Sequence, residues 1–121
     1  MIWGRLTDSM QYRNGDELSL KKFIHPRAEP EIAFLIKEDI TKPITLKQAP
    51  SVLIGIAAAI EIIDSRYEKF KFSLEDVIAD NCSSTGFVLG QWYDPSTDIA
   101  DIPMELCVND EIVHSLSLIH I

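Results

Sequence analysis

Three glutamates lie in or beside apolar segments that have the pattern of β-strands: Glu29, Glu31 and Glu61. An ionised carboxylate among apolar side chains is costly unless it is paired or bound to a cation. Residues 29 and 31 project from the same face of an extended chain, and Pro30 between them restricts Glu29 to the β region. Three hard oxygen ligands on rigid strands suit Mg²⁺ or Mn²⁺ and leave coordination positions open for substrate and water.

The same spacing is also compatible with a purely structural role. In this alternative, the carboxylates of Glu29 and Glu31 are solvated at the end of a strand. Glu61 would then pair with Arg66 or with a lysine. A Glu-x-Glu pair is a weak pattern by itself, so the spacing leaves both interpretations open. We also expect Asp64 and Arg66 to form an ion pair that supports the site from beneath.

The segments that would position these residues have mainly the pattern of strands. The run EIAFLIK, residues 31–37, alternates with a period of two and has two largely apolar faces. The run AAAIEII, residues 57–63, is ambiguous by periodicity alone, and we favour a strand through residues 60–63. The run GFVLGQWY, residues 86–93, predicts a strand with a glycine interruption. Asn109-Asp110 predicts the turn of a hairpin between MELCV and EIVHS.

Helical signals are few and short. Thr45, with Gln48 three positions later, resembles a capping box that opens a helix, and Pro50 limits how far this helix extends. Ser73, followed by two acidic residues in the first turn, predicts an N-cap and a short helix to about Ala79. The pattern as a whole predicts an α+β fold that is rich in strands.

Length and composition bound the classes of function. The chain has 121 residues, which is one domain at most, and its formal net charge is −8. Nucleic acids and anionic membranes bind to basic faces, so we expect neither as a partner. The longest apolar run, residues 52–60, is too short to cross a bilayer, and the first residues lack a signal-peptide core. We therefore expect a cytoplasmic protein.

Three motifs in the same order carry a resemblance to a known family: HPRAEPEIAFLI, AIEIIDSRY and DVIADNCSSTGFVLG. With GRLTDSM near the start, they resemble the 2-keto-4-pentenoate hydratase and 4-oxalocrotonate decarboxylase group of the fumarylacetoacetate hydrolase superfamily. The similarity runs from Gly4 to about Val113. It implies an α+β, β-rich fold that is an incomplete part of the mixed β-sandwich roll found in fumarylacetoacetate hydrolase C-terminal domains.

The resemblance also implies roles for particular residues. The Glu-x-Glu pair and the later glutamate of the AIEIIDSR motif bind a divalent metal in that family, which implies that Glu29, Glu31 and Glu61 hold Mg²⁺ or Mn²⁺. Asp8 in GRLTDSM and Ser83 in DNCSSTGF match two further family positions, and we expect them to be catalytic, orienting water or relaying a proton. From the residues alone, we would favour a turn or N-cap role for Asp8 and, for Ser83, a loop hydroxyl bonded to its own backbone.

The implied function is a divalent-metal-dependent lyase that acts on unsaturated 2-oxo acids of aromatic meta-cleavage degradation. We favour hydration of 2-oxopent-4-enoate (2-hydroxypenta-2,4-dienoate) to 4-hydroxy-2-oxopentanoate. The first alternative is decarboxylation of 4-oxalocrotonate (2-oxo-3-hexenedioate). Further alternatives are an acylpyruvate hydrolase, which would need a water-activating base, or an inactive truncated fragment that associates through open sheet edges.

Members of that family are about twice as long as this chain and carry further segments before and after the part that resembles it. We therefore expect residues 1–115 to be a partial fumarylacetoacetate hydrolase-like catalytic domain. Residues 116–121, LSLIHI, match the translation of a sequencing adapter, and we expect them to be an artefact. The substrate would be a small 2-oxo acid, and the full-length protein is expected to be a homo-oligomer.

Overall fold

A computed structural model describes residues 2–117 of the chain. The strands and the single α-helix of this part are β1 (Gln11–Tyr12), β2 (Arg27–Ile36), β3 (Leu53–Ile63), α1 (Leu74–Ala79), β4 (Ser84–Tyr93), β5 (Pro103–Val108) and β6 (Glu111–Ser117). Short 3₁₀ segments occur at Asp8–Met10, Leu20–Lys22, Leu46–Val52, Glu68–Phe70 and Asn81–Ser83. The predicted α+β, strand-rich pattern is confirmed for these residues.

Four of the strands form one sheet in the order β1-β4-β3-β2. β1 runs parallel to β4, with Gln11 opposite Phe87 and Tyr12 opposite Val88. The predicted hairpin is confirmed, because β5 and β6 pair antiparallel and Val108 lies opposite Glu111 across the Asn109-Asp110 turn. Both turn residues have positive φ, at 52° and 65°, which is the backbone region that Asn and Asp tolerate best among residues other than glycine.

The chain divides into two compact units. The first consists of residues 2–31 and 59–90, with Ile62, Ile63 and Val77 among its buried apolar side chains. The second consists of residues 32–58 and 91–117, with Ile56 and Ala57 buried. The three glutamates singled out from the sequence all belong to the first unit, so the site is described within that unit.

Both predicted helix starts form, but they open different kinds of helix. The Ser73 hydroxyl accepts the Asp76 amide at 3.2 Å, the Asp76 carboxylate accepts the Ser73 amide at 3.1 Å, and α1 follows. The box of Thr45 and Gln48 opens a 3₁₀ helix instead. Pro50 lies inside it and has no amide hydrogen to donate back to the first turn, so a regular α-helix is not sustained there.

The end of the chain is described only in part. Leu116 and Ser117 belong to β6 and lie opposite Met104 and Pro103, whereas residues 118–121 of the predicted adapter tail lie outside the described residues. Whether residues 116–121 are an artefact stays a prediction. Among the described residues, no helix has the length and apolar character that crossing a membrane requires.

Candidate metal centre

The three glutamates converge on one point of the first unit. Glu29 and Glu31 alternate along β2 and therefore share one face of that strand. Glu61 lies on β3, the neighbouring strand of the sheet, and neighbouring strands are about 4.8 Å apart. One carboxylate oxygen from each of the three residues lies within 4.8 Å of the other two, and all three side chains are half-buried. The sequence prediction that these residues come together is confirmed.

The electrostatics of this cluster are unfavourable without a cation. Burial raises the pKa of Glu29 and of Glu31 above the ordinary 4.5, and the negative charge of Glu61 raises both further. Arg27 opposes this by lowering the pKa of Glu29. In the part of the chain that the structure describes, no lysine, arginine or histidine forms an ion pair with any of the three carboxylates. The structural alternative in which Glu61 pairs with Arg66 or with a lysine is therefore wrong for these residues.

The donor set fits a hard divalent cation. An octahedral Mg²⁺ holds oxygen ligands at about 2.1 Å, which puts neighbouring ligands roughly 3 Å apart and opposite ligands roughly 4 Å apart. Oxygens that lie within 4.8 Å of one another need only a small contraction to reach these distances. Rotation about the side-chain torsions of glutamate supplies it. Three protein ligands would leave the remaining coordination positions open to substrate and water.

Asp64 fixes the start of β2 relative to the end of β3. Its two carboxylate oxygens accept the backbone amides of Ile24 at 2.9 Å and of His25 at 2.8 Å. The predicted ion pair between Asp64 and Arg66 is wrong. Asp64 is occupied by these two amides, and Arg66 pairs with Asp80, with 2.9 Å between Nε and the carboxylate. Asp64 thus supports the site through the backbone of the strand that carries Glu29.

Asp80 is the centre of a second, buried polar network. Asp80 is 7% exposed, and beyond the ion pair with Arg66 its carboxylate accepts hydrogen bonds from the hydroxyls of Ser65 at 3.3 Å and of Ser83 at 3.1 Å, and from the Arg66 amide at 3.2 Å. A buried carboxylate is tolerated when its lone pairs are satisfied in this way. The network holds the segment after β3 to the turn before β4.

Ser83, predicted to be catalytic, lies within this network. It is 2% exposed, and its hydroxyl donates to Asp80. Three consecutive residues, Asn81, Cys82 and Ser83, have positive φ values of 53°, 56° and 61°. Such a run is unusual for residues other than glycine and costs backbone strain. The Ser83 hydroxyl makes no hydrogen bond with the three glutamates.

Asp8, the other predicted catalytic residue, is exposed in the 3₁₀ segment before β1. Its carboxylate forms no hydrogen bond or ion pair with any residue from 2 to 117. The segment that carries Asp8 is tied to the turn before β4, because Asn81 accepts the Arg5 amide at 2.6 Å and donates to the Arg5 carbonyl at 2.9 Å. The segment that carries Asp8 is thus attached to the turn that carries Ser83 through the Arg5 and Asn81 hydrogen bonds. Asp8 itself forms no hydrogen bond with the three glutamates.

Sequence reasoning missed Arg27 as part of this site. Arg27 is the first residue of β2, and its guanidinium carbon lies 4.0 Å from the centre of the Phe70 ring. The signal was available, because residues 27, 29 and 31 alternate and therefore share a face of an extended strand. Phe70, by contrast, is distant in sequence and no local pattern predicts its contact with Arg27.

Comparison with known proteins gives relatives of one kind, although no protein-family model matches the chain. The chain is 46% identical over 113 residues to a 4-oxalocrotonate decarboxylase of a Pseudomonas species, covering 93% of this chain and 44% of that protein. It is 40% identical over 114 residues to a 2-hydroxyhexa-2,4-dienoate hydratase of Comamonas testosteroni, covering 90% of this chain and 43% of that protein. The chain thus spans less than half the length of these curated relatives.

Among solved structures, the chain resembles 4-oxalocrotonate decarboxylase from Pseudomonas putida G7 in complex with magnesium and adipate. The TM-score is 0.87 at 32% identity, covering 94% of this chain and 44% of that one. A second structure of the decarboxylase from the same source, with calcium and acetate, gives a TM-score of 0.84 at 29% identity. The described part therefore has the fold of the corresponding portion of that decarboxylase, and the resemblance stated from the sequence motifs is confirmed.

Proposed function

Because this chain is a homologue of 4-oxalocrotonate decarboxylases and 2-keto-4-pentenoate hydratases, we propose that it carries the metal centre of a divalent-metal-dependent lyase acting on unsaturated 2-oxo acids. The observation that carries the proposal is the convergence of Glu29, Glu31 and Glu61 within 4.8 Å, with no ion pair to any of them among the described residues. Mg²⁺ or Mn²⁺ is the cofactor that this oxygen donor set favours.

A bound divalent ion supplies Lewis-acid stabilisation of the negative charge that develops at the keto oxygen of a 2-oxo acid. The chain contributes three carboxylates whose positions are set by two adjacent strands. Asp64 keeps those strands in register by accepting the Ile24 and His25 amides. Such a rigid arrangement places the ligands before substrate arrives, so little reorganisation is needed when charge develops.

Asp8 and Ser83 are proposed to handle protons. The Asp8 carboxylate is exposed and forms no hydrogen bond with a described residue, so it is available to accept a proton or to orient water. The Ser83 hydroxyl donates to Asp80, so a proton that leaves Ser83 would pass to that carboxylate. This relay requires the turn before β4 to open toward the substrate, since Ser83 is buried in the structure.

Hydration of 2-oxopent-4-enoate to 4-hydroxy-2-oxopentanoate is the reaction favoured by the motif resemblance, and hydratases from several bacteria are among the relatives. Decarboxylation of 4-oxalocrotonate is the second candidate, because the relative at 46% identity and both structural neighbours bear that name. Both reactions use one metal centre and differ in what surrounds the distal end of the substrate. We further propose that the protein acts in aromatic degradation, that it is cytoplasmic, and that its full-length form is a homo-oligomer.

The proposal is tested by incubating the purified chain with 2-hydroxypenta-2,4-dienoate and, separately, with 4-oxalocrotonate, in EDTA and after addition of Mg²⁺ or Mn²⁺. Formation of 4-hydroxy-2-oxopentanoate identifies a hydratase, and release of CO₂ from 4-oxalocrotonate identifies a decarboxylase. Either activity should require the metal and disappear in the Glu29→Gln, Glu31→Gln, Glu61→Gln triple variant. Turnover that persists in EDTA or in that variant would contradict the proposal, and metal binding without turnover would support the alternative of an inactive truncated fragment.

A further inference from the structure

The Arg27 guanidinium is held in place by an aromatic ring. Its carbon lies 4.0 Å from the centre of the Phe70 ring, a distance typical of a cation-π contact. The His25 ring also packs on Phe70, with 4.8 Å between ring centres and an interplanar angle of 44°. Phe70 has a positive φ of 55°, which is uncommon for a bulky residue. The surrounding structure therefore holds this ring against its local backbone preference.

Arg27 lies close to the glutamate cluster. It precedes Glu29 by two residues on one strand, a separation of about 6.7 Å that places both side chains on the same face. The effect of the Arg27 charge in lowering the pKa of Glu29 agrees with this proximity. The positively charged guanidinium of Arg27 is thus fixed at the edge of the proposed metal centre, two residues along β2 from Glu29.

The hydrogen-bonding capacity of Arg27 is unused within the described residues. A guanidinium carries five N–H donors in a planar fork that matches a carboxylate. The Arg27 guanidinium forms no ion pair and donates no hydrogen bond to any residue from 2 to 117, and Arg27 is exposed. Phe70 orients the guanidinium through its face and leaves the N–H edges free. The group is therefore prepared to receive an anion that is not part of the chain.

We propose that Arg27 binds the distal carboxylate of the substrate and makes the site selective for 2-oxo dicarboxylic acids over 2-oxo monocarboxylic acids. This inference rests on the proposed function, in which Glu29, Glu31 and Glu61 hold the oxo acid end through a divalent metal. The structural neighbour from Pseudomonas putida G7 is complexed with magnesium and adipate, itself a dicarboxylate. Between the two candidate reactions, selectivity of this kind favours decarboxylation, because 4-oxalocrotonate carries a second carboxylate and 2-oxopent-4-enoate does not.

The test compares 2-oxohexanedioate with 2-oxohexanoate, two saturated six-carbon acids that differ only in the distal carboxylate. Their dissociation constants are measured by calorimetry on the Mn²⁺-saturated chain for wild type, Arg27→Gln, Arg27→Lys and Arg13→Gln. Arg13 is an exposed arginine of the same unit and serves as the control for loss of one positive charge. Because a charge-assisted bidentate pair is among the stronger hydrogen-bonded contacts, wild type and Arg13→Gln should bind the dicarboxylate roughly tenfold more tightly or better.

Arg27→Gln should bind the two acids with equal affinity, while Arg27→Lys should keep part of the preference for the dicarboxylate. Equal binding of the two acids by wild type, or a preference that survives in Arg27→Gln, would overturn the role of Arg27 and leave the metal centre standing. Failure of wild type to bind Mn²⁺, or binding of both acids without Mn²⁺, would overturn the proposed function together with this inference.

Discussion

The carboxylate of Asp64 accepts the backbone amide of His25 at 2.8 Å, and this bond joins the residue after β3 to the residue two positions before β2. The strand that carries Glu61 and the strand that carries Glu29 are thereby fixed at the end where the three glutamates meet. The hydrogen bond spans 39 residues of sequence. Because the donor is a backbone amide, the bond depends on the carboxylate of Asp64 more than on which side chain residue 25 carries.

Replacing Asp64 should therefore weaken both the fold and the metal centre. We expect Asp64→Ala to lower the free energy of unfolding by roughly 2 to 3 kcal/mol, because two amides lose a charged acceptor in a partly buried setting. Mn²⁺ affinity should fall as well. Urea unfolding and calorimetric Mn²⁺ titration measure the two effects. Asp39→Ala, at an exposed position, is the matched control and should change neither. An Asp64→Ala chain with wild-type stability and affinity would contradict the role assigned to Asp64.

The stability of the metal-free chain should depend on pH through Glu29 and Glu31. Their pKa values are raised in the folded chain above the ordinary 4.5, mainly by burial and then by the charge of Glu61. The folded state thus holds protons more tightly than the unfolded state, so this contribution to stability is present below pH 4.5 and is lost as pH rises through the raised values.

Urea unfolding in EDTA between pH 4 and pH 7 measures this dependence. The Glu29→Gln, Glu31→Gln double variant should show a shallower loss of stability with rising pH than wild type does. Saturating Mn²⁺ should reverse the loss for wild type, because the cation stabilises the ionised form. An identical pH dependence in wild type and the double variant would contradict the shifted pKa values.

The buried network around Asp80 should be more important for stability than for metal binding. Asp80→Ala leaves the Arg66 guanidinium and the Ser65 and Ser83 hydroxyls without their acceptor, and we expect a loss of roughly 3 kcal/mol or more. Ser83→Ala removes one donor to Asp80 and should cost roughly 1 to 2 kcal/mol. Denaturant unfolding of both variants gives these values. If Ser83→Ala is neutral, its hydrogen bond to Asp80 does not support the fold.

The part of the site that could be predicted from sequence rests on local patterns. The alternation of β2 places Glu29 and Glu31 on one face, and the apolar neighbours of Glu61 indicate a strand. That all three residues meet was implied by the family resemblance and is seen in the structure. The Ser73 N-cap and the Asn109-Asp110 turn were equally local predictions and are confirmed. The β2 alternation, the Ser73 N-cap and the Asn109-Asp110 turn each depend on residues within a few positions of one another.

The features that sequence did not predict depend on partners that are distant along the chain or on backbone strain. Arg66 pairs with Asp80, 14 residues away, and not with its near neighbour Asp64. The positive φ values from Asn81 to Ser83 are held by tertiary contacts. No glycine occurs among these three residues, so the sequence gives no sign of that conformation. The segment after Thr45 differs from the prediction for another reason. It forms a 3₁₀ helix because Pro50 allows a helical turn but not an α-helix.

The most direct test of the metal centre is calorimetric titration of the chain with Mn²⁺, with and without oxalate as a mimic of the 2-oxo acid group. Three chains are compared: wild type, the Glu29→Gln, Glu31→Gln, Glu61→Gln variant, and a control with Glu17, Glu38 and Glu105 changed to Gln, all exposed. Wild type and the control should bind one Mn²⁺, more tightly with oxalate, and the first variant should not bind it. Equal binding by all three folded chains would contradict the account.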